Sequence, residues 1–259
     1  MELICFIVAI IATTIGASSG IGGGVIIKPV LESMNIFTLP TVNFLSSATI
    51  FAMAVVSIAK QIKQKDKINF KNTSILAIGS IIGGIVGQKI LRVLVSMSKD
   101  TSGISILQSI MLIVLLLFVF IYMRYKNKLK TYNLKNSFII ILIGIVLGAI
   151  AAFLGIGGGP INVAIFAIFF EMEAKEAARN SIIVIFFSQG AKILSVAFTT
   201  GFAVYNLTAL PLMIIGGILG GFIGYKLNKT VSEKNILRMF NIVLILIILV
   251  NIYNIIAAL

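Results

Sequence analysis

The chain contains no histidine and no tryptophan, one cysteine and four prolines, and only 8 of its 259 residues are acidic. Without histidine there is no Ser-His nucleophilic relay and no imidazole metal site. Cys5 alone can build neither an intrachain disulfide nor a thiolate cluster, and is read as a packing residue. The two aspartates, Asp66 and Asp100, fall between apolar runs, which argues against an intramembrane aspartyl dyad. An enzyme is therefore not expected, and neither a cofactor nor a metal is. Gly16–Gly22 mimics the glycine pattern of a dinucleotide fingerprint and Tyr122–Lys126 supplies a Y-x-x-x-K. The fingerprint requires a preceding strand in a soluble βαβ unit, and the surrounding sequence offers none.

Charge is also scarce. Charged residues make up 11% of the chain, hydrophobic ones 59%, and the mean hydropathy is +1.13. Apolar runs near the roughly 20 residues needed to cross a bilayer recur along the whole length. This is the composition of an all-α integral membrane protein, multi-pass, with the lipid bilayer as its first partner. The net charge of +13 comes from 21 Lys and Arg. In a soluble protein it would suggest nucleic acid. Here it sits mainly in short loops, as the positive-inside rule requires, so no nucleic acid is expected. Met1-Glu2 lacks a basic n-region, and the first apolar run is expected to be retained.

What the sequence does contain is a repeat. Gly20-Ile21-Gly22-Gly23-Gly24 returns as Gly155-Ile156-Gly157-Gly158-Gly159, an offset of 135 positions (155 minus 20). Ser46 and Ser181 share that offset. Ile81–Gly87 is answered by Ile218–Gly224 at an offset of 137 (218 minus 81), followed by Lys89 and Lys226. Each copy reads as an apolar run into GIGGG (1–19, 138–154), a short apolar piece (24–34, 160–170) and three longer helices. These are 40–59, 73–93 and 104–124 in the first copy, and 179–198, 206–226 and 236–257 in the second. The division is residues 1–125, a basic cytoplasmic linker 126–137, and residues 138–259.

Loop charge orients the copies. Residues 60–71 carry Lys60, Lys63, Lys65, Lys67 and Lys71 against Asp66, and residues 124–135 carry Arg124, Lys126, Lys128, Lys130 and Lys135. Both should be cytoplasmic. In the second copy Thr199–Tyr205 is uncharged, while 226–238 carries Lys226, Lys229, Lys234 and Arg238 against Glu233. The copies are then inverted, which requires an odd number of net crossings in each. Three full helices plus a re-entrant hairpin tipped by GIGGG satisfy that count.

A helix that stops inside a bilayer must bury its unpaired backbone groups in protein or a wet cavity. Glycine permits the turn, and Pro160 suits the first position of a new helix. Two helix N-termini meeting near the midplane would favour an anion. The candidate binding residues are Gly20, Gly22, Gly23 and Gly24 with Ser19, and Gly155, Gly157, Gly158 and Gly159. Lys28 and Lys192 join them, because intramembrane lysines are costly and mark function. Asn43, Ser46, Asn162, Ser181 and Gln189 complete the set as neutral hydrogen-bonding groups. Arg179 either caps the second site or sits at the interface. Gly83, Gly84, Gly87, Gly220, Gly221 and Gly224 are read as helix-packing positions. No Asp or Glu is expected inside a long helix; Glu171, Glu173 and Glu176 are placed ahead of a helix starting near Arg179.

Two halves that each run through an apolar segment into G-x-G-G-G, with a Ser-bearing helix start about two dozen residues on, resemble the sulfite exporter TauE/SafE family. Gly20–Gly24 with Pro29, and Gly155–Gly159, look like its paired signature. The resemblance implies a plasma-membrane permease for small sulfur-containing anions such as sulfite or organosulfonates. Nothing in composition or spacing shows sulfur chemistry. The residues alone leave open a transporter or an anion channel on the same scaffold.

Overall fold

The computed structural model describes residues 1–65, 69–97, 102–125 and 131–258. The loop charges expected at Asp66, Lys67, Asp100, Lys126, Lys128 and Lys130 lie outside these residues. Ten helices and no strand are found among the described residues: α1 (Glu2–Ser19), α2 (Gly24–Ser33), α3 (Leu39–Lys63), α4 (Phe70–Met97), α5 (Ser102–Tyr125), α6 (Ser137–Leu154), α7 (Gly159–Phe169), α8 (Ala174–Phe198), α9 (Leu210–Thr230) and α10 (Glu233–Ala258). Eight of them, all but α2 and α7, are long and apolar enough to cross a membrane. Isoleucine, valine, leucine and phenylalanine face outward along these helices, as lipid-facing surfaces require.

Local chemistry sets the helix boundaries. Prolines open α3 (Pro40), α7 (Pro160) and α9 (Pro211) at the first turn, where a missing N–H costs nothing. Asn136 caps α6 by accepting the N–H groups of Phe138 and Ile139. α3, α4 and α9 run on to Lys63, Met97 and Thr230, four residues past the expected 59, 93 and 226, and two helix starts also depart from expectation. α9 starts at Leu210 rather than 206, because the Asn206 side chain accepts the Thr208 N–H and holds a turn. α8 starts at Ala174 rather than near Arg179, so Glu176 lies inside its first turn. Both carboxylate oxygens of the distant Glu233 accept the Lys175 N–H (3.1 and 3.3 Å), stabilising a helix start that its local charges obscure. Glu233 and Glu2 likewise begin α10 and α1, so acidic residues do enter long helices, at their first turns.

Helices of one copy clamp helices of the other. Gly216, Gly220 and Gly224 of α9 lie against the carbonyls of Phe6, Ile10 and Thr14 in α1. Gly79, Gly83 and Gly87 of α4 lie against those of Ile141, Ile145 and Ala149 in α6. The two sets correspond pair by pair through the sequence offsets, 135 for the α1/α6 residues and 137 for the α4/α9 glycines. Small residues let backbones approach where lipid offers no hydrophobic drive for helix association. Gly221, against the Met53 carbonyl, also packs. Gly84 does not, since a Cβ there would meet nothing within 4 Å.

The α6–α7 hairpin returns to where it starts. The Tyr132 and Leu134 N–H groups donate to the carbonyls of Ile168 and Phe169 (2.8 and 2.9 Å), tying the segment before α6 to the end of α7. The same end of the bundle holds Gln64, Lys175, Lys229 and Glu233. There the Lys175 ammonium donates to the Lys229 carbonyl (3.2 Å) and the Lys229 ammonium donates to the Gln64 side chain. At the opposite end the Asn254 amide of α10 donates to the Pro29 carbonyl of α2 (3.2 Å).

Gly83→Ala should destabilise the protein by about 1–3 kcal/mol, because its methyl would collide with the Ile145 carbonyl. Gly84→Ala should leave stability unchanged. Thermal unfolding of the two variants in one detergent checks the contrast.

Candidate functional site

The two GIGGG segments meet. A Cβ on Gly24 would lie 3.0 Å from the Ile156 carbonyl oxygen, and one on Gly159 would overlap the Ile21 carbonyl. These contacts are reciprocal under the 135-residue offset, so each tip rests on the isoleucine of the other. The remaining glycines serve the backbone. Gly20, Gly22 and Gly23 have φ of 79°, 83° and 69°, and Gly155, Gly157 and Gly158 have 70°, 75° and 76°, a region L side chains rarely adopt. Ser181 of α8 links the tips by donating to the Gly20 carbonyl (2.7 Å), with the Gly159 carbonyl at 3.4 Å.

Around this junction the expected site residues divide into two groups. Ser19, Gly20, Gly22, Gly23, Gly24, Gly158, Gly159, Asn162 and Ser181 are packed inside. The Ser19 hydroxyl bonds back to the Ile15 carbonyl (2.7 Å), Gly22 abuts Ile185, and Asn162 sits beside Gly158. Ser46 is buried beside Gly24, and its hydroxyl has no hydrogen-bond partner. Gly155, Gly157, Asn43, Gln189 and Lys192 instead line two adjoining cavities.

The inner cavity, about 30 Å³, touches Gly155 and Gly157 and is walled by Gln88, Ser188, Gln189 and Lys192. The outer one, about 230 Å³, shares Gln88, Ala152, Lys192 and Ser195 with it. It runs past Asn43 and Arg92 to the bundle end formed by Leu39, Ser96, Thr199 and Tyr205. Phe44 stacks on Tyr205 there, with centroids 4.9 Å apart. The Lys192 ammonium donates to the Asn43 carbonyl (3.2 Å), and the Asn43 side-chain oxygen lies against Gly155 without a hydrogen bond. Among the described residues the two cavities are lined by two cations, Arg92 and Lys192, and by no carboxylate.

Lys28 stands behind this site rather than in it. Its ammonium donates to the Leu154 carbonyl (2.7 Å), at the C-terminus of α6, and to Gln108 Oε1 (2.9 Å), while Gln108 donates to the Phe153 carbonyl (2.6 Å). It approaches within 3.4 Å of where a Gly155 Cβ would be and pairs with Glu32 at 3.7 Å. A lysine at a helix C-terminus opposes the negative end of the dipole. Arg179 lies in the second turn of α8, toward the Lys175 end, and lines neither cavity.

Sequence reasoning missed Gln88, Arg92, Gln108 and Glu32. Two signals could have found Gln88, Arg92 and Glu32. Gln88 and Arg92 are one turn apart in α4, and Lys28 and Glu32 stand at i and i+4 in a ten-residue helix, the spacing of a helical ion pair.

Ten helices among the described residues, eight of them able to span a membrane, and paired glycine-broken hairpins define a polytopic membrane protein with a cationic cavity beside its second tip. The sulfite exporter TauE/SafE family model matches residues 5–251, so the chain belongs to that family. It is 27% identical, over 95% of both chains, to a Bacillus subtilis (strain 168) protein described as probable membrane transporter protein YunE. No solved structure matches. The chain is thus a multi-pass transporter of the cell membrane.

Lys28→Met should cost about 3 kcal/mol, because it strands Glu32 in a largely buried position. Adding Glu32→Gln should return much of the loss. Thermal unfolding of the single and double variants measures this coupling.

Proposed function

We propose that the chain is a secondary transporter, not an enzyme, that binds a small oxyanion against Gly155 and Gly157 and releases it to alternate sides of the membrane. The observation that carries the reading is the sign of the cavity: Arg92 and Lys192 line it, and no acidic residue does among those described. An anion there would meet the Lys192 ammonium, the amides of Gln189 and Gln88, and the hydroxyls of Ser188 and Ser195. The family's description as sulfite exporters supports reading the substrate as a sulfur-containing anion such as sulfite or an organosulfonate.

Residues 1–125 and 138–259 are then inverted repeats joined by the cytoplasmic linker 126–137. Supporting this, the α6–α7 hairpin begins and ends at the end of the bundle that carries the basic segment 60–65. The α1–α2 hairpin returns to the other end, where α10 finishes. The outer cavity would open outward, and at the cytoplasmic face the hydrogen bonds joining Gln64, Lys229, Lys175 and Glu233 would hold the helices together. The two offsets carry Arg92, Ser195 and Thr199 of the cavity onto Lys229, Lys60 and Gln64, which lie together at that end, and Asn43 onto Ala178, which packs against Gly20. Exchanging the conformations of the repeats would close the outer cavity and open an inner one. This closure favours a transporter over a channel, and steady electrogenic current across a planar bilayer would reverse the choice.

Uptake of radiolabelled sulfite and ethanesulfonate into proteoliposomes is the direct test, and flux of neither would count against the reading. Lys192→Met should weaken binding by about 10- to 100-fold, the loss of one charge-assisted hydrogen bond, without lowering the melting temperature. A disulfide between Gln64→Cys and Lys229→Cys should arrest transport until reduced; undiminished flux in the oxidised protein would contradict the gate.

A further inference from the structure

Glu32 is a carboxylate for which anion recognition alone gives no use. It sits at the C-terminal end of α2, its ammonium partner Lys28 is 5% exposed, and it is itself 16% exposed. The pair is asymmetric in its bonding. Lys28 places its two short hydrogen bonds on Leu154 and Gln108, whereas Glu32 Oε1 is buried and accepts none. Glu32 also lines a third cavity, about 300 Å³, with Ser33, Asn35, Ser105, Ser109 and Asn254. Ser33, Asn35 and Tyr253 at its mouth are exposed, so the cavity meets solution at the bundle end where the anion cavity also opens. One side of the carboxylate thus faces a water-accessible polar cavity. The other faces an ammonium that bonds the Leu154 carbonyl and lies 3.4 Å from where a Cβ on Gly155, a residue of the anion cavity, would be.

We infer that Glu32 is a proton-binding site coupled to the anion site through Lys28. With Glu32 ionised, the Lys28 charge is compensated by the carboxylate and by the α6 C-terminus. A proton taken from water onto Glu32 forms one O–H bond and removes the compensating negative charge. Lys28 then presents its field to Gly155 and strengthens anion binding there. By linkage a bound anion favours proton uptake to the same degree, so a monoanion and a proton bind together as a neutral load. The groups around Glu32 leave it as the switch. From α2 it faces Lys28; α5 presents Gln108, Ser105 and Ser109, α10 presents Asn254 and the phenol of Tyr253, and α3 presents Leu39. Lys192 of α8 is the other cation near Gly155, and the chain has no histidine.

The inference rests on the anion reading, and the experiment separates the two. Ethanesulfonate, which does not titrate in the range used, is bound to the full-length protein in detergent from about pH 8 to about pH 5. For the wild type, log Kd should fall with pH at a slope approaching about one proton per anion, giving at least about tenfold tighter binding at the acid end. Glu32→Gln should bind at the acid-end affinity throughout, with a slope near zero. A slope unchanged in Glu32→Gln overturns the inference and transfers the effect to Lys192, whose protonation acts with the same sign. A flat wild-type profile overturns it while leaving the anion site standing, and no binding at any pH removes the anion site itself. Affinity that follows sodium, when sodium is exchanged for N-methylglucamine at fixed pH, also overturns it. Proton uptake by the wild type on adding ethanesulfonate in weak buffer tests it without a variant; no uptake contradicts it.

Discussion

A bilayer offers no partner for a backbone N–H or carbonyl, and an interrupted helix exposes several of each. This chain interrupts two, and the breaks cover one another. Gly24 rests on the Ile156 carbonyl and Gly159 on the Ile21 carbonyl, with Ser181 bonded across the seam. A Cβ at Gly159 would overlap the Ile21 carbonyl and force the tips apart, and one at Gly24 would collide with Ile50. The rest of the bundle holds that junction in place: α9 grips α1 and α4 grips α6 through glycine-to-carbonyl contacts that repeat at the sequence offsets. The hydrogen bond from the Asn228 amide to the Ser18 carbonyl (2.7 Å) anchors one tip, and the bond from Lys28 to the Leu154 carbonyl anchors the other.

The contacts obey the pseudosymmetry, but the charges do not. Lys28 corresponds to Val163 and Lys192 to Ser57, so both intramembrane lysines gather at the second tip. A twofold scaffold thereby carries a single cationic site. The first tip is filled instead by apolar neighbours, Gly20 against Ala178 and Gly22 against Ile185. Their counterparts across the repeat are Asn43 beside Gly155 and Ile50 beside Gly157, so a polar side chain stands at the second tip where Ala178 packs at the first. The contacts repeat between the two copies, whereas the lysines are found beside only one tip.

Much of this was legible from residues alone. The hydropathy, the doubled GIGGG and the offsets were enough for an all-helical membrane fold with paired breaks, because glycine at positive φ and proline at a helix start are local constraints. The start of α8 was not legible, since its stabilising partner, Glu233, lies 58 residues away from Lys175. Of the site residues, Gln189 and Lys192 stood out as polar groups in an apolar helix, and they line the cavity. Lys28 stood out for the same reason, yet its ammonium turns to a helix end. Composition marks a buried charge but not its partner. Gln88 and Arg92 were obscured because α4 is polar enough near its end to pass for an interface.

The central claim is that the anion rests at the second tip, between Gly157 and Lys192. The most direct measurement is a structure of the protein with 2-bromoethanesulfonate, in which anomalous scattering from bromine locates the ligand independently of the surrounding density. The account predicts a sulfonate within hydrogen-bonding distance of Lys192 and Gln189, with the bromine in the outer cavity toward Arg92. A ligand lodged at the first tip, or no ordered ligand at the second under saturating conditions, would contradict it.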